Sequence, residues 1–117
     1  MHMQRAPQVL SSHRSGASVA IQLLIPVDLI HFHGHFAELP LLPGVVQVDW
    51  AIRFGREHFD LPADFQRLSA LKFMRVIRPG AMLDLRLELA APGELRFRYL
   101  EGAQTCSSGR LFFRGGA

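Results

Sequence analysis

From Val19 to Ile25 apolar and polar positions alternate, placing Val19, Ile21, Leu23 and Ile25 on one face, the period of a half-buried strand. The alternation returns further on, with Leu83, Leu85, Leu87 and Leu89 opposing Asp84, Arg86 and Glu88. It continues with Leu95, Phe97 and Tyr99 against Arg96 and Arg98, and with Leu111 and Phe113 against Arg110, Phe112 and Arg114. Pro79-Gly80, Pro92-Gly93 and Gly102 separate these runs. Pro followed by Gly suits a type II turn, where the second central residue needs a positive φ. The pattern predicts four antiparallel strands in a meander over 66–114, covered on one face. Between Val45 and Phe59 the period becomes helical. Val45, Val48, Ile52 and Phe59 share one face, and Val46, Trp50, Ala51 and Phe54 carry apolar surface round to the other, which predicts a helix enclosed by its surroundings. Pro43-Gly44 marks its start. Residues 1–16 are polar and mixed, predicting a loose arm ahead of a single domain over 17–117. One strand, a long loop, one buried helix and four strands describe an α+β fold, in which a curved antiparallel sheet of five strands or slightly more wraps a central helix.

The length of 117 residues suits one core and not two, and 49% apolar with 20% charged residues exclude a disordered or fibrous chain. The single cysteine, Cys106, cannot form an internal disulfide and no CxxC pair is present, which points to a reducing compartment. The most apolar stretch, Ala17 to Val27, is broken by Gln22 and Pro26 and followed by Asp28, well short of the roughly 20 residues that cross a bilayer. No small-residue cleavage site follows it, so the expectation is a cytoplasmic protein without membrane contact. The net charge of +3 is spread along the chain without a basic run interleaved with aromatics. Nucleic acid is therefore not expected as a partner, whereas an acidic protein or a phosphate-bearing substrate suits the charge.

Candidate chemistry concentrates between His31 and Trp50. His35 stands between Gly34 and Phe36, where an imidazole walled by apolar surface could remove a proton from carbon or return one; a packed or surface histidine is the plainer alternative. Asp49 shares the helical stripe of Val45, Val48 and Ile52, where desolvation would favour a protonated acid. An ion pair with Arg53, four residues on, is the competing reading. At Pro43-Gly44-Val45 the free NH groups of a helix N-terminus could stabilise a developing oxyanion, or the dipeptide could simply start the helix. His31, His33 and His35 also have the HxHxH spacing of some zinc sites, but Gly34 interrupts a strand there and no fourth ligand has an obvious place, so no metal is expected.

Gly34-His35-Phe36, then Pro40, Pro43-Gly44-Val45 and an acid at position 49 resemble the signature of the bacterial 3-hydroxyacyl-[acyl carrier protein] dehydratases, which have the hot-dog fold. Lys72-Phe73 and Arg78-Pro79-Gly80 resemble the strand and turn that follow the helix in that family. The run from Pro43 to Ala51 is most similar to the small members found with aryl polyene and related polyketide pathways. The resemblance implies that His35 takes the C2 proton of a 3-hydroxyacyl thioester, that Asp49 protonates the departing hydroxyl directly or through a water, and that the Gly44 NH, with Val45 beside it, polarises the thioester carbonyl. Phe36, Val48, Trp50 and Ile52 would line the acyl tunnel. No cofactor is implied. The partner would be an acyl carrier protein with its 4'-phosphopantetheine arm, steered by a rim of Arg53, Arg56, Arg75 and Arg78. The assembly would be a homodimer or larger, with histidine and acid from different chains. Two departures stand out: Ala37 replaces the proline many members carry, and Asp49 replaces the glutamate of the commonest branch. Two other readings keep the fold: a thioesterase using Asp49 and Gly44, and a non-catalytic acyl-binding subunit paired with an active homologue.

Overall fold

A computed structural model of the chain describes residues 5–29 and 41–115. Strands β1 (Gln8–Ser15) and β2 (Ser18–Leu24) precede helix α1 (Gly44–His58), and β3 (Asp64–Phe73), β4 (Met82–Ala91), β5 (Glu94–Glu101) and β6 (Gln104–Arg114) follow it. All six strands pair antiparallel in one sheet, in the order β1-β2-β4-β5-β6-β3.

Register puts the apolar positions of successive strands opposite one another. Ile21 pairs with Leu85, Leu85 with Tyr99 and Tyr99 with Ser107. The next row runs through Val19, Leu87, Phe97 and Gly109. These rows form the floor of the core, and burying Leu83, Leu85 and Leu87 of β4 contributes about 1.5–3 kcal/mol each. The helix lies close on this floor: a Cβ at Gly55 would come within 2.4 Å of Leu95 Cδ2. A glycine there allows the helix to sit against β5.

Three expectations need correction. The meander expected over 66–114 holds for β4, β5 and β6, but β3 crosses to the far edge and pairs with β6, not with β4. The arm expected over 1–16 holds strand β1, joined to β2 by the two-residue turn Gly16-Ala17 with Gly16 at φ 61°, a turn that favours Gly at its first central position. β1 escapes a periodicity reading because it is an edge strand exposed along its whole length, so no alternation is imposed on it. The helix is also rotated from its expected phase. Its buried residues are Gln47, Trp50, Ala51 and Gly55, whereas Val45 is 76% exposed and Val48 and Ile52 are half-buried.

Strand β3 carries a bulge that decides what its end presents. Ser69 opposes Arg110 and Lys72 opposes Ser108, so three steps along β3 match two along β6. The extra residue inverts the alternation. Lys72 falls on the sheet face away from the helix, and Phe73 falls on the helix side. Within the bulge Ala70 has φ 52°, the left-handed region that costs a residue with a Cβ.

Candidate active site

Helix α1 begins without a side-chain cap. Pro43 occupies the N-cap, it offers no side-chain oxygen, and the first turn holds no acidic residue. The Pro43 carbonyl accepts from Val46 N at 3.1 Å and from Gln47 N at 3.2 Å. The NH groups of Gly44 and Val45 come before the first carbonyl that could accept them within the helix, so the positive end of the helix dipole is left for a ligand oxygen. The Phe73 ring lies directly on Gly44, where a Cβ would approach its Cζ to 2.5 Å. A side chain at position 44 would push that half-exposed ring aside. A cleft of about 280 Å³ opens here, between Leu41, Leu42, Gly44 and Gln47 on one side and Phe73, Met74, Arg75 and Val76 on the other.

Behind the cleft lies a polar knot absent from the sequence reading. Gln47 is buried, its Nε2 donates to the Leu42 carbonyl at 3.1 Å and its Oε1 accepts from Ser107 Oγ at 2.6 Å. Its backbone carbonyl accepts from Tyr99 OH at 2.7 Å. Leu42 N in turn donates to the Ile77 carbonyl at 2.8 Å. One side chain thus ties the loop before the helix, the helix and β6 together, and Tyr99 adds β5. The signal available in the sequence was a lone amide between Val46 and Val48. Burial holds the Tyr99 hydroxyl well above its ordinary pKa of 10.0, and the negative charge of Asp49 adds to the shift. Tyr99 therefore remains a donor.

Asp49 is exposed on this chain, its side chain 52% accessible, and it bonds Arg53 Nε at 3.0 Å. Of the two readings left open for Asp49, the single chain shows the ion pair with Arg53 and not the desolvated acid, because the rotated helix turns that stripe outward. Trp50, expected along an acyl tunnel, is packed in the core. The four expected rim arginines diverge. Arg53 is the Asp49 partner. Arg56 donates to the carbonyls of Pro62 and Ala63 and covers the Phe113 ring, which makes it a brace for the loop after the helix. Arg75 lines the cleft and Arg78 is exposed in the turn before β4. His35 and Phe36 lie outside the described residues, as do His31 and His33. Among the described residues no cluster of three His, Cys, Asp or Glu side chains could hold a metal, and no helix is long and apolar enough to cross a membrane.

The architecture superposes with a TM-score of 0.85 and 30% identity on a chain of the dehydratase heterocomplex ApeI:P from Xenorhabdus doucetiae, covering 92% of this chain and 96% of that one. An uncharacterized protein from Erwinia carotovora subsp. atroseptica superposes with a TM-score of 0.78 at 33% identity, covering 92% and 94%. The 3-hydroxyacyl-[acyl-carrier-protein] dehydratase FabZ of Chlamydia caviae is 27% identical over 91% of this chain and 77% of its own length. FabZ of Natranaerobius thermophilus is 29% identical over 68% of this chain and 64% of its own length. The profile of the ApeI-like dehydratases matches residues 11–110. The chain belongs to that family, and its class of chemistry is that of a hydro-lyase.

Proposed function

We propose that this chain eliminates water from a 3-hydroxyacyl thioester carried on acyl carrier protein, giving a trans-2-enoyl thioester for aryl polyene, polyketide or fatty acid synthesis in the cytoplasm. The observation that carries the reading is the uncapped, acid-free helix start at Gly44 with Asp49 on the same helix, in a chain of the dehydratase family. The thioester carbonyl would accept from the Gly44 NH, with Val45 beside it, so that negative charge developing on that oxygen meets the helix dipole. His35 would take the C2 proton. The electron pair released would form the C2–C3 double bond as the C3–O bond breaks, and Asp49, released from Arg53 and protonated once a second copy covers it, would hand its proton to the leaving hydroxyl, which departs as water.

Assembly as a homodimer or larger belongs to the same reading. Asp49 and Val45 lie on an exposed face of the helix, and a second copy seated there would supply the walls that one chain lacks.

The test offers carrier-bound 3-hydroxyacyl groups to the purified protein and follows loss of one water by mass spectrometry. His35→Ala and Asp49→Asn should each lower turnover by about 100-fold or more, the usual scale of a lost acid or base. Full activity in either variant removes that residue from the mechanism. Release of free thiol without dehydration would replace the lyase with a thioesterase, and binding without turnover would replace it with an acyl-binding subunit.

A further inference from the structure

The sheet face turned away from the helix is cationic. Arg86 on β4 lies directly opposite Arg98 on β5, and Arg96 on β5 directly opposite Arg110 on β6. The first pair extends across the sheet in one row, through Ser108 to Lys72 at the β3 edge and through Ala20 to His13 at the β1 edge. These groups surround a concavity of about 720 Å³ whose floor is made of small residues such as Ser18, Ala20 and Ser108. Five permanent cations meet a single carboxylate in its lining, Glu88, a larger positive excess than the +3 of the whole chain. Of these five cations only Arg96 has an ion-pair partner among the described residues, Glu94 at 3.1 Å. Like charges directly opposite on neighbouring strands destabilise a sheet. Arg96 also faces Glu88 across the strands, so folding leaves the Arg86–Arg98 pair without an ion-pair partner among the described residues, and an external polyanion would supply one.

We infer that this trough is the docking surface for an acidic protein, and that the protein is the carrier that brings the substrate; this second part rests on the dehydratase reading above. Three observations favour a carboxylate-bearing protein surface. Arginine forks pair bidentately with carboxylates, and four of the five cations are arginine. The half-buried ring beside the trough on this face, Phe112, is already covered by the Arg67 guanidinium at 3.8 Å, so the stacking platform that single-stranded nucleic acid uses is missing. The exposed apolar side chains Phe73, Met74 and Val76 belong to the cleft at the end of β3 and not to the lining of the trough, which therefore has nothing to insert into a lipid surface. The row also leads somewhere. Lys72 ends it at the β3 edge, and the next residue, Phe73, is the ring that lies on Gly44. A carrier held on the trough would have its flexible arm at the strand edge that borders the helix N-terminus.

The experiment compares one acyl group presented on the carrier and as a short pantetheine thioester, and separately titrates the chain with carrier. R86E/R98E should raise KM for the carrier-bound substrate by about tenfold or more, leave the short thioester unchanged and weaken carrier binding, increasingly so at low salt. R86Q/R98Q should have a smaller effect on KM and a higher melting temperature than the parent, since it removes a repelling pair. An unchanged carrier KM, an equal effect on both substrates, or RNA or anionic vesicles binding in place of the carrier would overturn the assignment. If the parent protein does not turn over even the short thioester, the dehydratase reading fails by itself. Carrier titration of R86E/R98E still decides the surface: lost binding upholds it and retained binding overturns it.

Discussion

Gln47 and Tyr99 show how a single buried residue can organise the start of a helix. Leucine at position 47 would fill similar volume but leave the Leu42 carbonyl and the Ser107 hydroxyl without the partners they have now. Each buried polar group stranded in this way costs about 1–3 kcal/mol. Gln47→Leu should accordingly lower the denaturant midpoint and loosen the loop that carries Pro43 and Gly44, whereas Gln47→Glu retains an acceptor for Ser107 but no donor for Leu42. Tyr99 makes a pH prediction whose sign follows from its raised pKa. Above the ordinary value of 10.0 the unfolded chain releases the phenolic proton while the folded chain keeps it. The stability from this group is therefore complete below that value and is lost as pH climbs through the folded pKa. Tyr99 is the single tyrosine of the chain, so ultraviolet absorbance of phenolate should appear on alkaline titration only with unfolding. Phenolate in the native protein would contradict the buried hydrogen bond. None of this knot was legible in the sequence, because Tyr99 is 52 positions from Gln47 and Ser107 is 60, and nothing in a period of two or of 3.6 reports which strands will end beneath a helix.

Among the elements, β2, β4, β5 and β6 were legible because each has one face in the core and one in water, which forces alternation. The helix was legible in extent and start, and Pro43-Gly44 was correctly placed at its head. Its phase was not, because apolar residues lie on both sides and only packing chooses between them; Gly55, which allows the close approach to β5, carries no hydrophobic signal at all. The β3 bulge is invisible to periodicity for a related reason: an inserted residue changes which side chains face inward without changing composition. Ala70 provides its test. At an ordinary strand position Ala→Gly destabilises by about 0.5–1 kcal/mol. At φ 52° the glycine relieves backbone strain of about 1–2 kcal/mol, so Ala70→Gly should leave the melting temperature unchanged or raise it. Deleting Ala70 should also be tolerated. Two steps along β3 would then match two along β6, so Lys72 stays opposite Ser108 and Phe73 opposite Ser107, and the ring keeps its place on Gly44. A deletion variant that loses its melting transition or its turnover would show that the bulge does more than absorb one extra residue.

For the whole molecule, the distribution of exposed apolar surface bears on assembly. Val45 is among the most exposed of the large hydrophobic side chains, and Phe73, Met74 and Val76 are each about half-exposed. Val45 follows Gly44 on the helix, and the other three border the cleft that Gly44 helps to form. This end of the chain thus combines an uncovered apolar rim with the helix N-terminus and, one turn along the same face, the Asp49 carboxylate. An apolar patch beside a site is better matched to a covering subunit than to water. The proposed second copy would remove this surface from solvent and, by excluding water, strengthen the interactions of the Gly44 NH and Asp49 with a bound thioester. Composition could not foresee this, since an apolar residue left uncovered by its own chain looks in sequence like one that is buried. Val76→Glu should therefore shift the protein towards monomer in sedimentation velocity and reduce turnover of even a short thioester. The melting transition of the isolated chain should change by less than about 0.5 kcal/mol, as expected for an exposed position away from the core. Monomeric Val76→Glu with full activity would mean that a single chain completes the site, and the pairing of histidine and acid across two copies would then have to be abandoned.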